Sequence, residues 1–194
     1  MLQTLPGGFC SVKKTDDSLT TISISDAFKN LDGLSRKSRL RYDTPSFCGF
    51  HLAGSIISDQ RYDASLWWGG QGYGLKAAGA VAYADINEDS ADSQYDGSFS
   101  ILHESTGLNL TLSAGLKDAD GRDDPWNFYA KAGWLKRWFA CGHTAFGVDT
   151  TRSMNFPPGN DNGTSVGAAV VQEFEDFGTE LYLQYRLYSL DLGE

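Results

Sequence analysis

Apolar residues recur at every second position through most of this chain, in runs of about eight to ten residues. Leu108–Ala114 shows the pattern best. Leu108, Leu110, Leu112 and Ala114 fall on one side, and Asn109, Thr111 and Ser113 on the other. Thr179–Leu187 repeats it, with Leu181, Leu183, Tyr185 and Leu187 against Glu180, Tyr182, Gln184 and Arg186. Leu75–Tyr83 and Phe50–Ile56 follow, and weaker copies lie at Arg36–Asp43, Asp63–Gly69, Gly97–His103, Phe128–Leu135, His143–Thr150 and Ser165–Gln172. A period of two is the strand period, and no amphipathic helix interrupts the series. The pattern predicts an all-β chain of about ten strands, with sequence neighbours paired antiparallel.

The breaks between runs carry further information. Thr44–Phe47, Gly69–Gly74, Glu104–Gly107 and Lys136–Gly142 are compact. Asp85–Tyr95, Lys117–Asn127 and Thr151–Gly163 are longer, and acidic or rich in Gly, Pro and Asn. Ser58–Arg61 is the one short break on the long side. Short turns at one rim and long loops at the other are the layout of an outer-membrane barrel.

Alternation alone does not separate such a barrel from a soluble sandwich. The polar positions favour the barrel. They mix Gly, Ala, Ser and Thr with Lys37, Arg39, Arg41, Lys76, Lys131, Glu180 and Arg186, as a watery lumen requires. The apolar positions carry Phe50, Leu52, Trp68, Tyr83, Phe128, Trp134 and Tyr185, with aromatics near segment ends, as interfacial girdles require.

Composition narrows the classes. Sixteen Lys+Arg against 25 Asp+Glu give a net charge of −9, which argues against a nucleic-acid partner. Aromatics at 13% and charged residues at 21% argue against disorder. Cys10, Cys48 and Cys141 are too few and too widely spaced for a disulfide framework or a zinc site. No apolar run is long enough for a transmembrane helix. Met1–Cys10 lacks the cationic and apolar regions of a secretory signal, and Leu190–Glu194 stops just after a periodic segment. Both ends are expected to be cut from a longer chain.

Three segments carry a family resemblance: Asp32–Phe50 (DGLSRKSRLRYDTPSFCGF), Glu104–Gly115 (ESTGLNLTLSAG) and Gly178–Asp191 (GTELYLQYRLYSLD). They resemble the Gram-negative general porins, the trimeric sixteen-stranded outer-membrane channels. The resemblance runs from about Ser23 to the C-terminus, and its most specific piece is the hairpin Arg41–Phe50. It implies an antiparallel transmembrane β-barrel of the porin type, of which about ten strands are present. Residues 1–33 then resemble the segment that folds inward and narrows the pore, and 34–194 form the partial barrel. It further implies outer-membrane localisation, contact with lipid and lipopolysaccharide, a homotrimer in full-length form, and passive diffusion of ions and small hydrophilic solutes. No enzyme activity and no cofactor are expected.

Within that reading Lys37, Arg39 and Arg41 stack on one strand face about 6.5–7 Å apart. Each would cost about 2–4 kcal/mol on the lipid side near the midplane, so they are expected to face the lumen, with Arg186. Asp26 and Asp32 are the expected acidic partners on the inward segment. Facing charge rows would orient dipolar solutes and bias ion choice. Asp26 has a competing role as the cap of a helical turn at Ala27-Phe28-Lys29.

Two other motifs are weak. Asp85, Asn87 and Asp89 partly imitate a calcium loop, but the sixth position is Ser90 and the flanks are strands. Gly163-Thr-Ser165-Val-Gly167 matches a nucleophile elbow in letters only, because alternation continues through Val170. The competing functions are a soluble β-sandwich that binds carbohydrate or calcium through acidic loops, and an outer-membrane barrel enzyme.

Overall fold

The computed structural model describes residues 11–13, 19–28, 31, 38–58, 61–88, 91–121, 123–156 and 161–191. A two-stranded ribbon comes first, β1 (Ser11–Lys13) and β2 (Leu19–Ser23), followed by one helical turn, α1 (Ile24–Ala27). Ten strands then form a single antiparallel sheet. They are β3 (Arg39–Asp43), β4 (Phe50–Ile57), β5 (Arg61–Gly72), β6 (Leu75–Glu88), β7 (Ala91–His103), β8 (Leu108–Asp118), β9 (Trp126–Phe139), β10 (Gly142–Phe156), β11 (Asp161–Phe174) and β12 (Thr179–Asp191). Sheet order follows chain order throughout, from β3 at one edge to β12 at the other. The all-β expectation and the number of strands agree with this sheet. β3 and β12 do not pair with each other, so the sheet is open.

The compact turns follow from local backbone chemistry. Cys48 and Gly49 both take positive φ, 50° and 82°, and Phe47 and Phe50 exchange backbone hydrogen bonds across them. That is a two-residue hairpin whose twist matches the strands. Tyr73 and Gly74, at 51° and 74°, make the same turn between β5 and β6. Gly69–Gly72, expected from sequence to be part of a six-residue turn, belongs to β5 instead.

The long side differs from expectation more. Strand β6 runs to Glu88 and β7 starts at Ala91, and the two residues pair. Phe156 and Asp161 pair in the same way at the β10–β11 connection. Most of the two expected long loops is therefore paired strand. Hydrophobic alternation fades there, but a hairpin ladder needs only backbone donors and acceptors, so pairing outlasts the pattern. Irregularities near Asp85–Glu88 and Met154–Phe156 mark the change. Only the connection between β8 and β9 is long and irregular among the described residues.

Register sorts the side chains into two faces. Leu52, Leu66, Val81, Gly97, Ala114 and Phe128 are successive cross-strand partners on one face. Leu110, Ala132, Val148, Ala168 and Tyr185 continue it to the far edge. This apolar face is exposed: Leu40 by 77%, Leu110 by 41% and Leu183 by 74%. Half of the buried apolar residues named among those described are alanine. Ala27, Ala53, Ala84 and Ala119 join Ile57, Ile86, Phe156 and Pro125. The sheet thus keeps most of its large apolar side chains on the exposed face and most of its buried positions on the other, polar side.

Candidate functional site

The polar face is organised by one cross-strand row. Ser100, Thr111, Lys131, Asp149, Gly167 and Arg186 are successive partners from β7 to β12. Arg186 forms an ion pair with Asp149 and donates from its other Nη to Ser165 Oγ at 2.9 Å. The two charged side chains are 21% and 6% exposed, well shielded for a polar face. Glycine at 167 makes this possible. A Cβ there would stand 2.8 Å from Arg186 Nη2 and 3.1 Å from Asp149 Oδ2. Ser100 and Thr111 hydroxyls are joined at 2.9 Å, and Lys131 lies directly across from Asp149.

At the opposite edge, Arg39 and Arg41 alternate on the same polar face. Each has a carboxylate. Arg41 donates from Nε and Nη2 to Asp43 at 2.9 and 2.8 Å, and Arg39 lies 3.5 Å from Asp63. Arg39 and Arg41, expected to face acids on the inward segment, each hold a carboxylate of the sheet itself, two positive and two negative charges together. Lys37 and Asp32 lie outside the described residues. Arg186 is on the polar face as expected, but its partner comes from β10 rather than from the inward segment.

That segment does cover the polar face. The Phe28 ring meets Tyr188 edge-on, 5.3 Å between centroids. A Cβ on Gly163 would stand 3.0 Å from Phe28 Cζ, and one on Gly115 would stand 2.6 Å from Leu31 Cδ1. Gly115 and Gly163 belong to one cross-strand row, separated in it by Asn127 and Ser153. Missing side chains on β8 and β11 thus seat the two apolar residues Phe28 and Leu31. Asp26 belongs to the turn Ile24–Ala27 rather than preceding it, so it is not its cap. Its side chain lies outside what is described.

The calcium-like triplet gives no cluster among the described residues. Asp85 and the backbone of Asn87 belong to β6, and Asp89 is not described. A different group of possible metal ligands stands at the short-turn rim: His143, Glu173 and Glu175. His143 Nδ1 is 3.0 Å from Glu175 Oε1 and 3.6 Å from Glu173 Oε2. Arg137 donates to both Glu175 oxygens at 3.0 and 2.7 Å, so that carboxylate is already charge-compensated. The Arg137 hydrogen bonds hold the Glu175 carboxyl below its ordinary 4.5, with His143 adding to the effect. The group ties the β9–β10 turn to the β11–β12 turn, where Glu175 N–H also donates to the Cys141 carbonyl at 2.9 Å.

Ser165, the middle of the elbow-like match, is buried in the interior of β11 and accepts from Arg186. Sequence reasoning missed Asp149, because a lone acid on a polar face acquires meaning only once register sets it between Lys131 and Arg186. It also missed the rim group, which joins two turns 32 residues apart. Comparison with family models, with curated proteins and with solved structures finds no match.

Proposed function

We propose that this chain forms the wall of an outer-membrane channel of the general-porin type, through which ions and small hydrophilic solutes diffuse passively. The observation that carries the reading is the continuous apolar face across all ten strands, with large side chains exposed and no second sheet over them among the described residues. Fully burying one Leu or Phe is worth about 1.5–3 kcal/mol, and a water-soluble domain leaves no such face uncovered. Hydrocarbon is the solvent that this face suits.

Dimensions support the same reading. On β9, Trp126 and Trp134 mark the two ends of the apolar stretch, eight residues or about 27 Å apart along the strand. At the usual barrel tilt of about 40° that length rises about 21 Å, close to the apolar band about 25 Å tall that an outer-membrane barrel carries between aromatic girdles. Tyr62, Tyr83 and Tyr95 cluster at the long-connection end, with centroids 5.8 and 5.2 Å apart. Phe50 and Trp68 pair at the short-turn end.

The polar face is the lumen wall in this reading, and α1 with Phe28 and Leu31 is the inward segment that narrows it. Strands pairing with the β3 and β12 edges close the barrel, as the porin resemblance implies, and a homotrimer is the expected assembly. The charged row Lys131, Asp149 and Arg186 faces the ion pairs of β3 and β5 across the lumen. Solutes pass between these two rows, which supply a field without a binding pocket.

Flotation of the folded protein with lipid vesicles, followed by liposome swelling with sugars of graded size for the barrel closed by its further strands, tests the proposal. Co-flotation and size-graded swelling support it. A monodisperse protein that stays in the aqueous phase without detergent would count for the soluble sandwich.

A further inference from the structure

We propose that the apolar face carries a built site for one anionic phospholipid, on strands β9 to β12 at the short-turn rim; this rests on the membrane reading above. The face has a shallow groove there of about 620 Å³. Its floor is the small row Ala132, Val148 and Ala168, and Trp134, Phe146 and Leu183 stand beside it. The floor exists because three neighbouring strands place small or short side chains side by side in register.

A cation stands at the head of the groove. Lys136 is on the same face of β9 as Ala132, four residues or about 14 Å further along the strand. Its Nζ is 5.8 Å from the ring centroids of both Trp134 and Trp138. Those rings meet edge-to-face at 5.0 Å and fix the lysine between them. Across from Lys136, Thr144 donates to Gln172 Oε1 at 2.6 Å, so the row at this height is polar.

Charge identifies the occupant. Register places only two Lys or Arg side chains on the apolar face among the described residues, Lys136 and Arg152, and they fall at opposite ends of β10's apolar stretch. No described carboxylate forms an ion pair with Lys136. A patch with a cation and no acid gives a second copy of this chain nothing to pair with. A phosphodiester headgroup at Lys136, with its acyl chain lying over Ala132, Val148 and Ala168, satisfies the cation and the groove together.

The test folds the full chain into vesicles of phosphatidylcholine with and without phosphatidylglycerol, checks flotation, and then measures retained lipid by native mass spectrometry. The expected result is preferential retention of phosphatidylglycerol. Lys136→Gln should reduce that preference about fivefold, the effect of one interfacial lysine, while Lys136→Arg keeps it. Ala168→Phe, which fills the floor with an apolar side chain suited to the same face, should reduce retention of both lipids. Flotation with equal retention by wild type and Lys136→Gln would overturn the lipid site and leave the channel reading standing. Protein dimers carrying no lipid would overturn it in favour of a second copy. Failure to float would overturn both proposals.

Discussion

Gly167 lies directly across from Arg186, and its missing side chain is the space through which the guanidinium reaches Asp149. Three strands contribute to one ion pair, β10 with the acid, β11 with the gap and β12 with the cation. Gly167→Val should therefore act as a charge mutation. It displaces Arg186 and leaves Asp149, 6% exposed, without its partner. The expected loss is about 1–3 kcal/mol, read as a lower urea midpoint in detergent. Asp149→Asn should lose a similar amount and, on the proposed channel reading, shift the reversal potential toward anions. An unchanged midpoint for both variants would sink the pairing.

At the other edge, Arg39 and Arg41 each hold a carboxylate on their own face. Replacing both by Glu places four acids, with Asp43 and Asp63, where two ion pairs stood. Ion selectivity in a salt gradient should move toward cations. Because the wild-type patch is neutral as a whole, Arg41→Gln alone should also move it, by leaving Asp43 unpaired. Indifference of the reversal potential to both variants would remove β3 from the permeation path.

Leu110 and Thr111 are adjacent and opposite. Leu110 is 41% exposed on the apolar face, and Thr111 bonds Ser100 on the polar face beside Lys131. Leu110→Arg should cost about 2–4 kcal/mol of folding stability in a bilayer if near the midplane. Thr111→Arg meets Lys131 cross-strand and should cost only about 0.2–1 kcal/mol, while reducing conductance. Equal folding penalties would mean that the faces are assigned the wrong way round.

The rim group predicts an acid-sensitive turn. Glu175's carboxyl is held below its ordinary 4.5 chiefly by the Arg137 hydrogen bonds. A depressed folded-state value makes its contribution complete above the ordinary range and lost as pH falls through the folded value. Protection of the Glu175 amide, normalised to the intrinsic exchange rate, should hold at pH 6 and drop as the carboxyl protonates below 4.5. Glu175→Gln should show weaker protection at pH 6 and little further change on acidification. Identical pH profiles for the two proteins would show that this carboxylate does not secure the turn.

Alternation made the strands legible, because side chains on a strand must take opposite faces and each run has large apolar residues on one of them. Leu108, Leu110 and Leu112 are read correctly without any coordinates. The placement of Arg186 on the polar face is legible for the same reason, but Lys136–Phe139, expected in a turn, continues β9. Where the pattern stopped, at Asp85–Tyr95 and Thr151–Gly163, the expected loops proved to be mostly strand. Backbone hydrogen bonds sustain a ladder that side-chain hydrophobicity does not announce.

The sequence by itself determined the strand period, the direction of pairing and which residues share a face, since all three follow from chemistry within a few residues. Only the tertiary structure decided which charges meet. Arg186 pairs with Asp149, 37 positions away, and Glu175 joins Arg137 across 38. A single strand's pattern is nearly unchanged when its partner slides by two residues, but such a slide would separate every one of these pairs. Register is set by the turns and by both neighbouring strands together. The charge map of the polar face is therefore a property of the assembled sheet.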